Sequence, residues 1–373
     1  LKDRHNVLII DNSVATTGAF TSISLLLPYL KNYRFIFALP KGSKLIPSLR
    51  QQGQTVFEFS FLELSKSFRV LFYLPILLFN TFRIVSLVKK ENVKIIHVND
   101  LYNLCGVGAK IFNPKVKLVY HIRLLSNSYL KLVYKYLAAI VLRYADAVIC
   151  NSIATKKSLP WSSKYVVVIG NPINPIERYP LKAGNENTRC VLLYPANYVP
   201  GKGHDYALEA LAIARKSVPS LQLIIAGGTF ATRSNQNYKT RLKERASELG
   251  IKEAVEFRDF EHDVEKLIKS SDIVLQFSMS ESFSRVTAEA MQFGVPVIAV
   301  NSGGPAELIN HGETGVLVGQ GDVKAMADAI NILAMDENQR RKIALAARDF
   351  IIHNFETGFI ANQVEGVYQD LLE

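Results

Sequence analysis

Residues 273–277, IVLQF, form a short apolar run bounded by polar residues, and residues 285–293 follow with Val286, Glu289, Ala290 and Phe293 on related helical faces. A run of that length and character suits a strand of a parallel sheet, buried on both faces by the helices that cross over it. Strand, loop (278–284) and helix in succession form the unit from which doubly wound α/β sheets are built. The same rhythm fills the first half, where residues 6–10, 34–39, 55–59, 93–98, 117–121, 145–151 and 166–169 read as strands. Helices are expected over 22–30 and within 41–53. In the second half, 190–194, 221–226 and 255–260 are strand-like, 229–239 is a polar loop ahead of a charged helix over 240–249, and 322–373 is helical.

At 373 residues the chain exceeds one ordinary domain, and 49% hydrophobic residues supply two cores. The Asn- and Pro-rich segment 171–180, NPINPIERYP, breaks regular structure and is the expected linker. The expected division is a Rossmann-like domain over 1–172, a second over 173–352, and a terminal helix over 353–373 that crosses back to the first. The crossing is implied only by the family resemblance described below.

Charge is unevenly spread. Residues 1–180 hold 24 Lys and Arg against 8 Asp and Glu, whereas the remainder holds 20 against 25. The basic half points to an anionic partner, and a membrane surface or a phosphate-bearing acceptor fits better than nucleic acid, for which no reading motif is present. Segment 65–94 is rich in Phe, Leu and Ile and carries Lys66, Arg69, Arg83, Lys89 and Lys90, and 128–143 is similar in character. Pro75, Asn80 and Arg83 interrupt it too often for a membrane span. Either a buried helix with snorkelling charges or an interfacial helix fits. Cys105, Cys150 and Cys190 make no CxxC pair, and the first residues lack the shape of a signal peptide, so a reducing cytoplasm is expected.

Ser284 stands where a helix N-cap would stand, so the backbone N–H groups of Arg285, Val286 and Thr287 make an anion site at the helix start. Glu281 on the loop and Glu289 in the helix lie to either side of it. Carboxylates accept hydrogen bonds from vicinal hydroxyls, so hydroxyls, a diphosphate and more hydroxyls are the groups this stretch suits. The same two glutamates are otherwise ordinary solvated charges.

The stretch as a whole resembles the retaining glycosyltransferases of the GT-B fold, the large group 1 family that carries E-x-F-x-x-x-x-x-E-A-M followed by G-x-P-V. Here the residues read ESFSRVTAEAM, then GVPVIA, NSGGPAELI and HGETGVLV. The resemblance implies two Rossmann-like domains facing a cleft, a nucleotide-sugar donor held mainly by the second domain, and a glycan or lipid-linked acceptor held by the first. It places Lys202 on the donor phosphates, His121 near the donor sugar, Gly18 at the phosphates or acceptor, and Arg258 at the base. Phe283, Ser284, Arg285, Val286 and Glu289 line the donor loop and helix, and Glu281, His121 and Lys202 are the catalytic candidates. Three positions depart from the family pattern: Ser284 replaces a glycine, Asn197 replaces an arginine, and Gly18 is all that remains of a glycine pair. No Asp-x-Asp occurs, so the expected transferase needs no metal, and UDP-sugars are its expected donors. A nucleotide-sugar epimerase and a non-catalytic donor-binding protein stay open beside it.

Overall fold

A computed structural model describes residues 4–61, 73–128, 130–161, 165–174, 190–261 and 263–373. Lys66 and Arg69, and the expected linker from residue 175 onward, lie outside the described residues. The chain divides into two compact units, Leu1–Asn174 with Phe355–Glu373, and Pro175–Asn354.

The first unit begins with β1 (His5–Asp11), α1 (Gly18–Leu26), β2 (Tyr33–Pro40), α2 (Ile46–Gln51) and β3 (Thr55–Phe59). It continues with α3 (Tyr73–Lys90), β4 (Val93–Asn99), α4 (Cys105–Phe112), β5 (Lys117–Ile122) and α5 (Lys131–Tyr144). Next come β6 (Ala147–Cys150), α6 (Ile153–Lys157) and β7 (Val166–Val168). The second unit holds β8 (Val191–Pro195), α7 (His204–Ala214), β9 (Gln222–Ala226), α8 (Arg233–Glu248), β10 (Val255–Arg258), α9 (Val264–Ser270) and β11 (Ile273–Gln276). It is completed by α10 (Arg285–Gln292), β12 (Val297–Val300), α11 (Pro305–Leu308), β13 (Val316–Val318), α12 (Val323–Met335) and α13 (Glu337–Phe355). The last helix, α14 (Thr357–Leu372), belongs to the first unit.

Both sheets are parallel and doubly wound, as the alternation of strand and helix requires. Their strand orders are β3-β2-β1-β4-β5-β6-β7 and β10-β9-β8-β11-β12-β13. In each the order reverses beside the unit's first strand, between β1 and β4 and between β8 and β11, the position at which sheets of this kind bind ligands at their strand C-termini. Burial on both faces shows within β1. Leu8 and Ile10 share a core with Ile84 of α3, Val107 of α4 and Val141 of α5, whereas Val7 and Ile9 share the opposite core with Ile23 of α1 and Val364 of α14.

Where the elements differ from the sequence reading, a local interaction accounts for it. Gly18 was expected in a loop but opens α1, because Thr17 caps the helix through Oγ1, which accepts from Phe20 N at 3.1 Å. The supposed loop 229–239 is largely helix, since Thr232 caps α8 by accepting from Asn235 N at 3.3 Å and its polar first turns carry no apolar stripe to reveal them. Helix α4 escapes the sequence reading because Gly106 and Gly108 lower its propensity. Both serve packing: a Cβ would come within 2.6 Å of Val98 at Gly106 and within 2.5 Å of Thr81 at Gly108.

Helix α7 is entered through Gly201 and Gly203, both left-handed at φ +87° and +78°. A Cβ on Gly203 would lie 2.1 Å from the Phe277 carbonyl oxygen, whereas one on Gly201 would meet nothing within 4 Å. Gly201→Ala is therefore expected to cost only the backbone strain of an L-residue, about 1–2 kcal/mol. Gly203→Ala adds a clash with main chain and costs on the order of 3 kcal/mol or more. Thermal midpoints of the two variants check this, and equal losses would count against the crowding at Gly203.

Candidate functional site

Lys202 lies between those two glycines at the carboxyl side of β8. Its Nζ is 2.7 Å from Glu281 Oε1, with 36% of the lysine side chain and 17% of the glutamate side chain exposed. The pair joins positions far apart in the chain across the β8/β11 switch point. Tyr194, at the end of β8, fixes the join: its buried hydroxyl donates to the Lys202 carbonyl and accepts from Phe277 N at 2.9 Å. Burial pushes the Tyr194 phenol well above its ordinary range, so it stays protonated and serves both partners.

Glu281 is held from its other side by the NSGGP loop. Its N–H donates to Ser302 O at 3.1 Å and its carbonyl accepts from Gly304 N at 2.8 Å. A Cβ on Gly304 would sit 2.3 Å from Phe283 Cα, so the ESF and SGGP segments pack main chain against main chain. Phe283 itself is buried, at 4% exposure.

Ser284 occupies the N-cap position of α10 with φ +67°, the left-handed region that favours glycine. The expectation that its side chain caps the helix is corrected. The hydroxyl instead pairs with Thr287 Oγ1 at 2.8 Å and accepts from Gln276 Nε2 at 3.3 Å. Arg285 follows and donates from its NH2 group to Glu289 Oε1 at 3.0 Å, one turn further along. Val286, between them in the first turn, is partly exposed. Burial raises the Glu289 carboxyl above its ordinary range, and Arg285 opposes that shift. The helix start thus carries one cation and its own positive pole.

Asn197 and Arg258 stand apart from this group. Asn197 Oδ1 accepts from Gly228 N at 2.8 Å, tying the end of β8 to that of β9. Arg258 folds back along its own strand onto Glu256, with Nε 2.7 Å from Oε1 and NH2 3.1 Å from Oε2. Its guanidinium is thus engaged by an exposed carboxylate at the sheet edge.

Sequence reasoning missed His204. Its ring is wholly buried, 5.4 Å from the Tyr198 ring and nearly parallel to it, and its Nε2 lies 3.2 Å from Ala196 O. Burial lowers its pKa to about 4, with Lys202 adding a smaller push in the same direction. The signal was available: His204, Ala207, Leu208 and Leu211 fall at the inward spacing of α7.

His121 and Gly18 belong to the first unit. Only 1% of His121 is exposed. It sits in a buried polar network centred on Arg123, itself 3% exposed. Arg123 donates to Asn99 Oδ1 at 2.6 Å, to Asn171 Oδ1, and lies 3.1 Å from His121 Nδ1. Asn99 in turn donates to Asp11. His97, with its ring centroid 5.5 Å from that of His121, pairs with Tyr368 of α14 at 2.6 Å. Burial and then Arg123 lower both histidines, His97 to about 3 and His121 in the same direction.

In the unfolded chain these rings bind a proton near pH 6.5, and in the folded chain His97 and His204 do so only near 3 and 4. Their contribution is present in full above pH 6.5 and is lost as pH falls through that window, at about 1.4 kcal/mol per pH unit for each group. Ring resonances of His97, His121 and His204 are accordingly expected in the neutral form at about pH 5. A protonated ring at that pH contradicts the burial described.

Two family models match the chain: "Glycosyl transferases group 1" over residues 176–350 and "Glycosyltransferase Family 4" over residues 50–177. Among curated proteins, the N-acetyl-alpha-D-glucosaminyl L-malate synthase of Bacillus anthracis is 30% identical over 190 residues, 51% of this chain and 48% of that protein. The D-inositol 3-phosphate glycosyltransferase of Stackebrandtia nassauensis is 28% identical over 198 residues, 52% of this chain and 44% of that one. Over the matched stretch the chain thus spans about half the length of these curated relatives. The crystal structure of Anabaena Alr3699/HepE in complex with UDP and glucose superposes with a TM-score of 0.81 at 22% identity, covering 98% of this chain and 100% of that one. A glycosyltransferase from Rickettsia africae gives a TM-score of 0.81 at 22% identity, with coverage of 100% and 99%. The two family models together run from residue 50 to residue 350, and with this likeness of fold they make the chain a glycosyltransferase built on the two Rossmann-like units of the GT-B fold.

Proposed function

We propose that this protein is a retaining glycosyltransferase that moves a hexose-type sugar from a UDP-sugar to a glycan or lipid-linked acceptor without a metal ion. The observation that carries the reading is the Lys202–Glu281 pair, 2.7 Å apart at a sheet switch point. Lys202 has three N–H donors and gives one to Glu281, so it can hold a diphosphate oxygen with the others. Arg285 and the start of α10 add positive potential, which suits charge developing on the departing phosphate. Glu281 and Glu289 accept hydrogen bonds from donor hydroxyls. HepE, of the same fold, was crystallised with UDP and glucose, which favours a UDP donor here.

In the proposed step the bond from the anomeric carbon to the diphosphate oxygen breaks. The acceptor oxygen bonds to that carbon on the same face, and its proton passes to the departing phosphate. His121, a buried ring within the Arg123 network of the first unit, takes no part in the proposed step. Asn197 supplies no charge to the diphosphate, leaving that work to Lys202 and Arg285.

UDP, rather than GDP or ADP, is expected to raise the thermal midpoint, by roughly 5–10 °C at a hundredfold excess over its Kd. The shift should vanish in Glu289→Ala. Stabilisation by none of the three moves the reading to a non-catalytic binder, and conversion of the UDP-sugar to another nucleotide sugar moves it to an epimerase.

Lys202→Ala is expected to lower the rate of UDP release by about 10²–10³-fold. A variant that keeps its rate removes Lys202 from the chemistry.

A further inference from the structure

We propose that the outer face formed by α3, α4 and α5 of the first unit docks on an anionic lipid bilayer. The inner sides of the three helices contribute Ile84, Val107, Ala109, Leu137 and Val141 to one core, so the helices form a single layer over one side of the sheet. Their outer sides carry what a soluble helix layer normally hides. Leu78, Phe79 and Phe82 of α3 are 48%, 60% and 57% exposed, Phe112 of α4 is 54% exposed, and Leu132 and Tyr136 of α5 are 68% and 65% exposed. The Phe82 and Phe112 rings meet at 5.3 Å on the outside of the layer, joining α3 to α4 in one apolar surface. On α5, Leu132, Tyr136 and Ile140 repeat every four residues along the exposed side. Exposed apolar surface on this scale marks an interaction site.

Charge chooses the occupant. The three helices contain no aspartate or glutamate, and they contain Arg83, Lys89, Lys90, Lys110, Lys131, Lys135 and Arg143. Lys110 is turned to Asp146 at 2.8 Å, and the other six are exposed. Aromatic and aliphatic side chains interleaved with cations, with no anion among them, match a surface of anionic headgroups over acyl chains. A second copy of the same face would set cation against cation. No helix among the described residues is long and apolar enough to cross a membrane, so the unit lies on the bilayer. The face lies wholly within the first unit and does not rest on the donor-site reading.

The test is sedimentation of the full chain, with no nucleotide, against vesicles of phosphatidylcholine alone and of phosphatidylcholine mixed with phosphatidylglycerol. Binding is expected only to the mixed vesicles and should weaken as salt rises. Combining Lys131→Gln, Lys135→Gln and Arg143→Gln should reduce it on the order of 100-fold. Combining Phe79→Ser, Phe82→Ser and Phe112→Ser should abolish it, and unchanged thermal melts will show that both variants are folded. Absence of binding to the mixed vesicles, or binding that neither variant weakens, overturns the proposal. So does a concentration-dependent dimer in sedimentation velocity that only the phenylalanine variant dissolves, because the face then belongs to a second copy. A UDP-induced stabilisation that persists while vesicle binding fails leaves the donor reading standing and removes this one alone.

Discussion

Where a parallel sheet reverses its strand order, two loops leave the strand ends in different directions, and the polar groups there lose their neighbours. The second unit meets this with one phenol. The Tyr194 hydroxyl takes the Phe277 N–H and gives its proton to the Lys202 carbonyl, so the end of β8, the end of β11 and the lysine turn are set by a single oxygen. Gly203 brings its main chain against Phe277 because no side chain lies between them. The first unit meets the same constraint with a guanidinium, whose planar fork of donors reaches Asn99 at the end of β4, His121 in β5 and Asn171 beyond β7, while Asn99 carries the link on to Asp11 of β1.

The two solutions differ in energetic character. The Lys202–Glu281 pair is partly open to water, where ion pairs add only about 0–1 kcal/mol. Its importance is in where it puts charge, and a ligand can rearrange it at small cost. The Arg123 network is enclosed, so each member depends on the others, and loss of one partner strands a buried charge or dipole. One site is built to exchange partners and the other to keep them.

Much of this was legible in the residues. Apolar runs gave the strands because both faces of each central strand must be covered, and the ESF…EAM stretch identified the helix that carries Glu289. What escaped notice depends on contacts between distant positions or on single backbone angles. Nothing near Lys202 announces Glu281 as its partner. Gly106 and Gly108 look like helix breakers until Val98 and Thr81 are seen pressed against them. Ser284 reads as a cap by residue type, but its left-handed backbone leaves the hydroxyl bound to Thr287 and Gln276 instead. His121 closes the strand read over 117–121, and only the surrounding network shows it enclosed.

Helix α14 follows the entire second unit in the chain, yet Ile360, Val364 and Tyr368 fill the core beside β1 and β4, and Thr357 donates to the Ile173 carbonyl. During synthesis the first unit leaves the ribosome early but lacks one wall of its core until residues beyond 355 emerge. The second unit, continuous in the chain, can close first. A nascent chain halted before α14 therefore carries one finished unit and one with an open apolar face, the kind of surface through which incomplete chains associate.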